Sequence, residues 1–402
     1  MKKFGLILII LCSIHFWKLL FLSEQFFKFT DLVSLIFLGL SFINTSAKSG
    51  LRFKGAIILF MTGIILNILS ANINNSQAIL DTTLNFGPFY FILIYFFLHE
   101  QQFNREELEK VIIVFAFLYA IFYLIQSNIF PTKLFNGAMY FDRGTLRIRI
   151  EGSGFLMLAY FLFLNRYLIK RKPIHVALAM FFFIILLKGG FRTLTAAAIL
   201  LSGIVFLKLV KYSITNYFLV IIAVALFIGL MQLDGPSQII NGMINASEEQ
   251  KEEGDRYIRA LQIQYFTREY PENFSYYIFG GGLPGGEGSY AMNMRLIETL
   301  YGFFWVDLGL IGFYFVIGLI ALLGLAWYTI RAIFTGLPPS SFYLNVYFAY
   351  LLLTSFTTME IFRPGVFVAE AIGLYLIDIA REEKLQRTQL NNDNLNKLIP
   401  PI

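Results

Sequence analysis

The sequence is short of the residues on which most enzyme chemistry rests. Its one cysteine, Cys12, rules out an intramolecular disulfide framework and any cysteine-based metal cluster. Set in the first apolar run, Cys12 reads as a small core hydrophobe. The three histidines, His15, His99 and His175, fall in the first apolar run or at the inner-side ends of later ones. None is expected to serve as a base on the outer face. HExxH, GxSxG and paired-histidine motifs are missing, so the sequence points to no metal and no other cofactor. Charge is scarce too: 14% of residues are charged, against about 25% in a soluble domain. The formal charge of +6 is no argument for a nucleic-acid partner, and none is expected. What matters is which loops hold the Lys and Arg.

What fills the chain instead is apolar. Of 402 residues, 57% are hydrophobic and 17% aromatic, and the mean hydropathy is +0.67. Runs long enough to cross a bilayer recur throughout, which predicts an all-α polytopic membrane protein. About twelve transmembrane helices are expected. The first five are Phe4–Leu22, Phe26–Ile43, Gly55–Ala71, Gly87–Leu98 and Lys110–Gln126. Then come Gly152–Leu168, Ile174–Leu187, Thr193–Leu209 and Ile214–Met231, and finally Thr299–Tyr328, Phe342–Thr358 and Pro364–Ala380. Gly87–Leu98 is short for a span, and Ile174–Leu209 also fits a re-entrant pair. The first run is long, carries Phe16 and Trp17, and lacks a small-x-small cleavage site. An uncleaved span is expected there rather than a signal peptide.

This division gives helices one to nine in residues 1–233, a large outer loop in 234–298, helices ten to twelve in 299–380, and a cytoplasmic tail in 381–402. The tail is rich in Asn, Gln, Lys and Leu and is expected to be disordered. If Lys2 and Lys3 are cytoplasmic, so are Lys48, Arg52, Lys54, Arg105, Lys110, Arg166, Lys170, Arg171, Lys172, Lys208, Lys211, Arg331, Arg381, Lys384 and Arg387. The loops Ser23–Thr30 and Ser70–Asn85 hold one Lys between them, so the positive-inside bias puts both termini in the cytoplasm.

The exceptions to that bias carry the functional signal. Outer loops hold Lys133, Arg143, Arg147 and Arg149, then Lys188 and Arg192. They also hold Arg256, Arg259, Arg268 and Arg295, and finally Arg363. Guanidiniums on the side where the bias disfavours them suit an anionic ligand at the membrane surface, each presenting a planar fork to phosphate oxygens. Headgroup binding, or pairing with Asp142, Glu151 and Glu253, is the alternative. After Asp255 the apolar positions fit a helix lying along the interface, with Arg256 and Arg259 on one face. The glycine run Gly280–Gly288 either brings backbone N–H groups to a phosphate or sugar, or is a flexible loop; it lacks a nucleotide-motif context. Asp307 stands out as an ionisable group near the outer end of an apolar run.

Two stretches carry a family resemblance. Leu187-Lys188-Gly189-Gly190-Phe191-Arg192-Thr193-Leu194-Thr195-Ala196 is one. The other runs from Asp255-Arg256 through Ile278-Phe279-Gly280-Gly281-Gly282 to Asn293 and Leu308-Gly309-Leu310-Ile311-Gly312. Together they resemble the O-antigen ligase/polymerase superfamily of bacterial envelope polysaccharide assembly, with its arginine turn, "GxG", "HN" and "GLIG" succession. The resemblance implies transfer of a glycan from undecaprenyl diphosphate to a hydroxyl acceptor, outside the bacterial inner membrane, without nucleotide sugar or metal. It assigns Arg192 and Arg256 to the diphosphate leaving group. Arg143, Arg147, Arg259, Asn293, Arg295 and Arg363 complete the expected binding set. Met292 stands where ligases have the His of "HN", which favours the Wzy-type polymerase branch. The base would then be a carboxylate, Glu287 or Glu298. Implied partners are an undecaprenyl-diphosphate-linked oligosaccharide, membrane lipid, a flippase and a chain-length regulator. A ligase or a transporter remains the alternative.

Overall fold

The computed structural model describes residues 2–16, 18, 21–48, 50–135, 137–142, 145–209, 258–358, 360–363 and 365–398. The chain is mostly helical. Helices α1 (Lys2–Ser13), α2 (Glu24–Ser46) and α3 (Lys54–Asn75) open it, followed by α4 (Ile79–Asn85) and α5 (Gly87–Gln101). After α6 (Arg105–Ile129) comes a two-stranded antiparallel hairpin, β1 (Met139–Asp142) and β2 (Thr145–Ile148). Then follow α7 (Ser153–Lys170), α8 (Pro173–Lys188) and α9 (Arg192–Leu209). Beyond residue 257 the elements are α10 (Ile258–Gln264), α11 (Phe274–Phe279), α12 (Ser289–Tyr301), α13 (Leu310–Ile317), α14 (Leu319–Ile333), α15 (Phe342–Ser355) and α16 (Val366–Leu398).

Among the described residues, α2, α3, α6 and α9 are long and apolar enough to cross a membrane. The pair α4 and α5, bent by 60° where Gly87-Pro88 interrupts the helix, makes a fifth if it is one span. Helices α8 and α14 are apolar but shorter. The expected ninth span and the first part of the large loop lie outside the described residues. Two expectations change. Thr299–Tyr328 is not one span: α12 ends at Tyr301, a turn covers Trp305–Leu308, and Gly318, at φ +93°, separates α13 from α14. The tail, expected to be disordered, continues α16 as helix to Leu398. The hairpin in the loop before α7 is a small β addition to the expected all-α class.

Direct contacts gather one set of chain segments at each end of the bundle. At one end Asn104 caps α6, accepting a hydrogen bond from the Glu107 N–H at 2.9 Å, and Glu107 pairs with Lys3 at 2.9 Å. There Glu109 accepts from Arg105 at 2.8 Å, Arg166 at 2.5 Å and Tyr343 at 3.0 Å. Lys384 donates to Gly336 O and Lys208 lies over Phe342. At the other end Lys18 pairs with Glu151, Thr357 donates to Thr193, and Gly365 packs on Gly152. Helices α3 and α14 run against each other through small residues. A Cβ on Gly63 would strike Ala321, and one on Gly324 would strike Phe60.

The glycine run is neither a flexible loop nor a free phosphate cradle. Gly281 and Gly282 donate their N–H groups to Phe315 O at 3.1 Å and Val316 O at 2.9 Å. Asn67 donates to Phe279 O and Val316 O, Ser70 to Gly280 O, Asn75 to Gly281 O, and Gln77 to Leu283 O. The segment is thus wedged between the end of α3 and the α13–α14 break. Buried peptide groups need partners, and here the protein supplies them itself.

Candidate functional site

Two of the arginines that the charge bias singles out, Arg147 and Arg363, converge at the end of the bundle carrying the hairpin. Strand β2 holds Arg147 in register with Tyr140, and its guanidinium lies 5.1 Å from the Phe191 ring. Arg363 reaches the same ring, also at 5.1 Å, from the turn before α16. Phe191 precedes Arg192, the first residue of α9, so two guanidiniums meet on one aromatic side chain, next in sequence to a third arginine. Each face contact is attractive through the ring quadrupole. Arg363 is anchored from behind: its Nε lies 3.1 Å from Glu360 Oε2, and Ser153 donates to Glu360 Oε1 at 2.9 Å. Glu360 is 1% exposed, and its charge is the main influence opposing burial and holding the Arg363 guanidinium protonated.

Next to this cluster lies a narrow cavity of about 50 Å³ between the end of α1, α6, the hairpin and the start of α7. Its walls are largely apolar, with Phe16, Phe115, Leu118, Phe122 and Phe155. Its polar lining is Lys18, Arg149, Glu151, Tyr119 and His15. Lys18 and Glu151 pair at 2.8 Å, and Tyr119 lies within electrostatic reach of Arg363. An apolar slot with a cationic rim suits an amphiphile with an anionic head.

Two polar clefts flank α12. One, of about 470 Å³, is lined by Tyr265, Tyr270, Tyr276 and Tyr290, with Asn74, Asn75, Glu269, Glu272 and Asn293. Tyr270 and Tyr290 share a hydrogen bond of 2.6 Å, and burial pushes both phenols up. The other, of about 420 Å³, has Lys28, Asn85, Arg295, Glu298 and Trp305 in its wall. Both are the size of small-molecule pockets, roughly 300–1,000 Å³. Tyrosine, amide and carboxylate linings match the alternating apolar faces and hydroxyls of sugars.

The sequence-derived site residues divide as follows. Arg147 and Arg363 come together on the Phe191 ring, and Arg192 follows Phe191 at the start of α9. Arg259 joins them through Asp307, whose carboxyl is pushed up by burial and drawn down by Arg259, Arg149 and Arg147. Arg295 stands apart, donating to Gly286 O at 2.9 Å and Glu287 at 3.1 Å. Glu287 is 87% exposed in that ion pair. Glu298 faces the second cleft, its carboxyl raised by burial against the opposing effect of Arg295. Asn293 lines the first cleft. Arg143 and Arg256 lie outside the described residues.

Sequence reasoning missed one pair. His15, expected inside the first span, sits past the end of α1 beside Lys18 and Glu151, at φ +46°. Its Nε2 lies 3.2 Å from Asp31 Oδ2, and its ring stacks on Phe27. The signal was a polar residue in each of two neighbouring apolar runs, which only the fold brings together. Compared with protein-family models, with curated proteins and with solved structures, the chain matches none of them.

Proposed function

We propose that this chain is a bacterial polysaccharide polymerase. It would transfer a glycan from undecaprenyl diphosphate to a carrier-linked repeat unit at the outer face of the inner membrane. The observation that carries this reading is the arginine cluster around Phe191 beside a narrow apolar cavity with a cationic rim. A polyprenyl diphosphate matches it in kind, an apolar chain and a doubly charged head; at about 50 Å³ the cavity admits only the few chain atoms next to the diphosphate. Arg147, Arg192 and Arg363, with Lys18 and Arg149, would hold the diphosphate as negative charge grows on it during C–O cleavage. The clefts on α12 would take sugar residues, with Asn293, Arg295 and Glu298 among their contacts.

In this reading α1, α7, α8, α15, α16, the broken pair α13–α14 and, by sequence alone, residues 214–231 also cross the bilayer, giving twelve spans with both termini cytoplasmic. The end that gathers Lys2, Lys3, Arg105, Arg166 and Lys384 is then the inner one, as the positive-inside bias asks. Arg256 and Arg143 stay in the proposed binding set on the strength of the sequence alone.

The lipid-linked glycans of a deletion strain test the proposal. Single repeat units on the carrier or on the lipid A-core, with no long chains, support a polymerase. Long chains stranded on the carrier would point to a ligase, and unchanged glycans would remove the reading.

A further inference from the structure

We propose that His15 and Asp31 form the proton-accepting pair of this site, with His15 taking the proton of the attacking hydroxyl and Asp31 positioning it. The inference rests on the transferase reading and adds to it the identity of the base.

The geometry comes from three directions. First, the pair is at a crossing point. His15 lines the narrow cavity together with Lys18, Arg149 and Glu151. Asp31 is three residues from Lys28 on α2, hence on the same helix face, and Lys28 lines the cleft that holds Asn85, Arg295 and Glu298. The pair therefore stands between the cationic cavity and a sugar-sized cleft, where the acceptor hydroxyl of a transferase has to be.

Second, the pair is built rather than incidental. Asp31 is 4% exposed and His15 11%, and Asp31 Oδ1 takes no hydrogen bond among the described residues. The helix bend at Gly87 closes onto the carboxylate, and a Cβ there would overlap Asp31 Oδ2. His15 keeps a left-handed backbone that costs a residue with Cβ roughly 1–2 kcal/mol. Ile14 against Gly152 and Lys18 paired with Glu151 hold it there from either side.

Third, the chemistry matches. Asp31 on Nε2 fixes the tautomer with Nδ1 unprotonated. As the acceptor oxygen bonds to the anomeric carbon, its proton passes to Nδ1. The bond from that carbon to the diphosphate oxygen breaks, and its electron pair leaves with the diphosphate. Asp31 is the counter-charge of the imidazolium that forms, and the cavity also holds Glu151 together with Lys18 and Arg149, which carry the imidazolium's own sign.

The test uses the full-length protein in nanodiscs with lipid-linked repeat units extracted from the deletion strain. Because His15 has a positive φ, glycine fits its backbone, and His15→Gly leaves a space for free imidazole. His15→Gly should lose about 10²-fold or more in turnover, the range of general-base catalysis, while still binding undecaprenyl diphosphate. Added imidazole should restore part of that loss, which a merely structural histidine would not allow. Asp31→Asn should lower kcat and leave KM for the lipid-linked unit within about threefold, because Asp31 positions the base and touches no substrate. Turnover of His15→Gly within about threefold of wild type would overturn the pair and leave the polymerase reading standing. So would loss in Glu298→Gln alone. A wild-type protein that forms no polymer would instead overturn the reading itself.

Discussion

At the scale of single residues, the arguments turn on where charge is buried and what it faces. Arg147 reaches the Phe191 ring from a hairpin, and Arg192 follows Phe191 as the first residue of α9. Removing either guanidinium should lower polymer formation by about 10²-fold, the usual cost of a lost transition-state donor, at unchanged protein abundance. Gel analysis of lipid-linked glycans in complemented deletion cells checks this. Arg363 behaves differently, because it is the partner of a carboxylate that is 1% exposed. Arg363→Ala should destabilise the protein by about 3 kcal/mol through the stranded Glu360. The double variant with Glu360→Gln should recover most of that loss in a thermal unfolding series. If the single and double variants unfold alike, Glu360 does not depend on Arg363.

At the scale of elements, the glycine run is the clearest case. Gly280 has φ +78°, and a Cβ there would strike Val316 O and the Asn67 amide. Gly280→Ala should therefore cost roughly 1–3 kcal/mol from overpacking, on top of backbone strain. Gly203→Ala is the control, since nothing lies within 4 Å of its Cβ and it is mid-helix. A lower unfolding temperature for the first and not the second is the expected result. The sequence made Gly280–Gly288 legible as glycines with a backbone purpose, but not which purpose. Three of their side-chain partners, Ser70, Asn75 and Gln77, lie more than two hundred residues away. The break at Gly318 was hidden for the same reason, because its apolar flanks look like one continuous span. His15 and Asp31 were hidden because each sits in an apolar run that, taken alone, only marks a helix. By contrast, Arg147 and Arg363, which meet on the Phe191 ring, both stand out in sequence order as cations apart from the loops that collect most of the charge.

At the scale of the whole molecule, the two ends of the bundle differ in kind. One end collects Glu109 with Arg105, Arg166 and Tyr343 in a closed network, and there the cations are spent on structure. The other end carries the cavity, the clefts and the Phe191 corner. Orientation can be tested with the single cysteine removed as Cys12→Ala. Glu287→Cys should react with a membrane-impermeant maleimide in spheroplasts, and Lys384→Cys only after permeabilisation. The reverse pattern would place the proposed site in the cytoplasm and exclude a role at the outer face.

The central claim is that the cavity and its arginines hold a polyprenyl diphosphate. The measurement that meets it most directly is binding of undecaprenyl diphosphate and of undecaprenol to the purified protein in nanodiscs. Charge-assisted hydrogen bonds of about 1.5–3 kcal/mol each predict that the diphosphate binds at least about tenfold tighter. That preference should vanish in Arg147→Ala and in Arg192→Ala. Equal affinity for the two lipids, or a preference that both variants keep, would contradict the account.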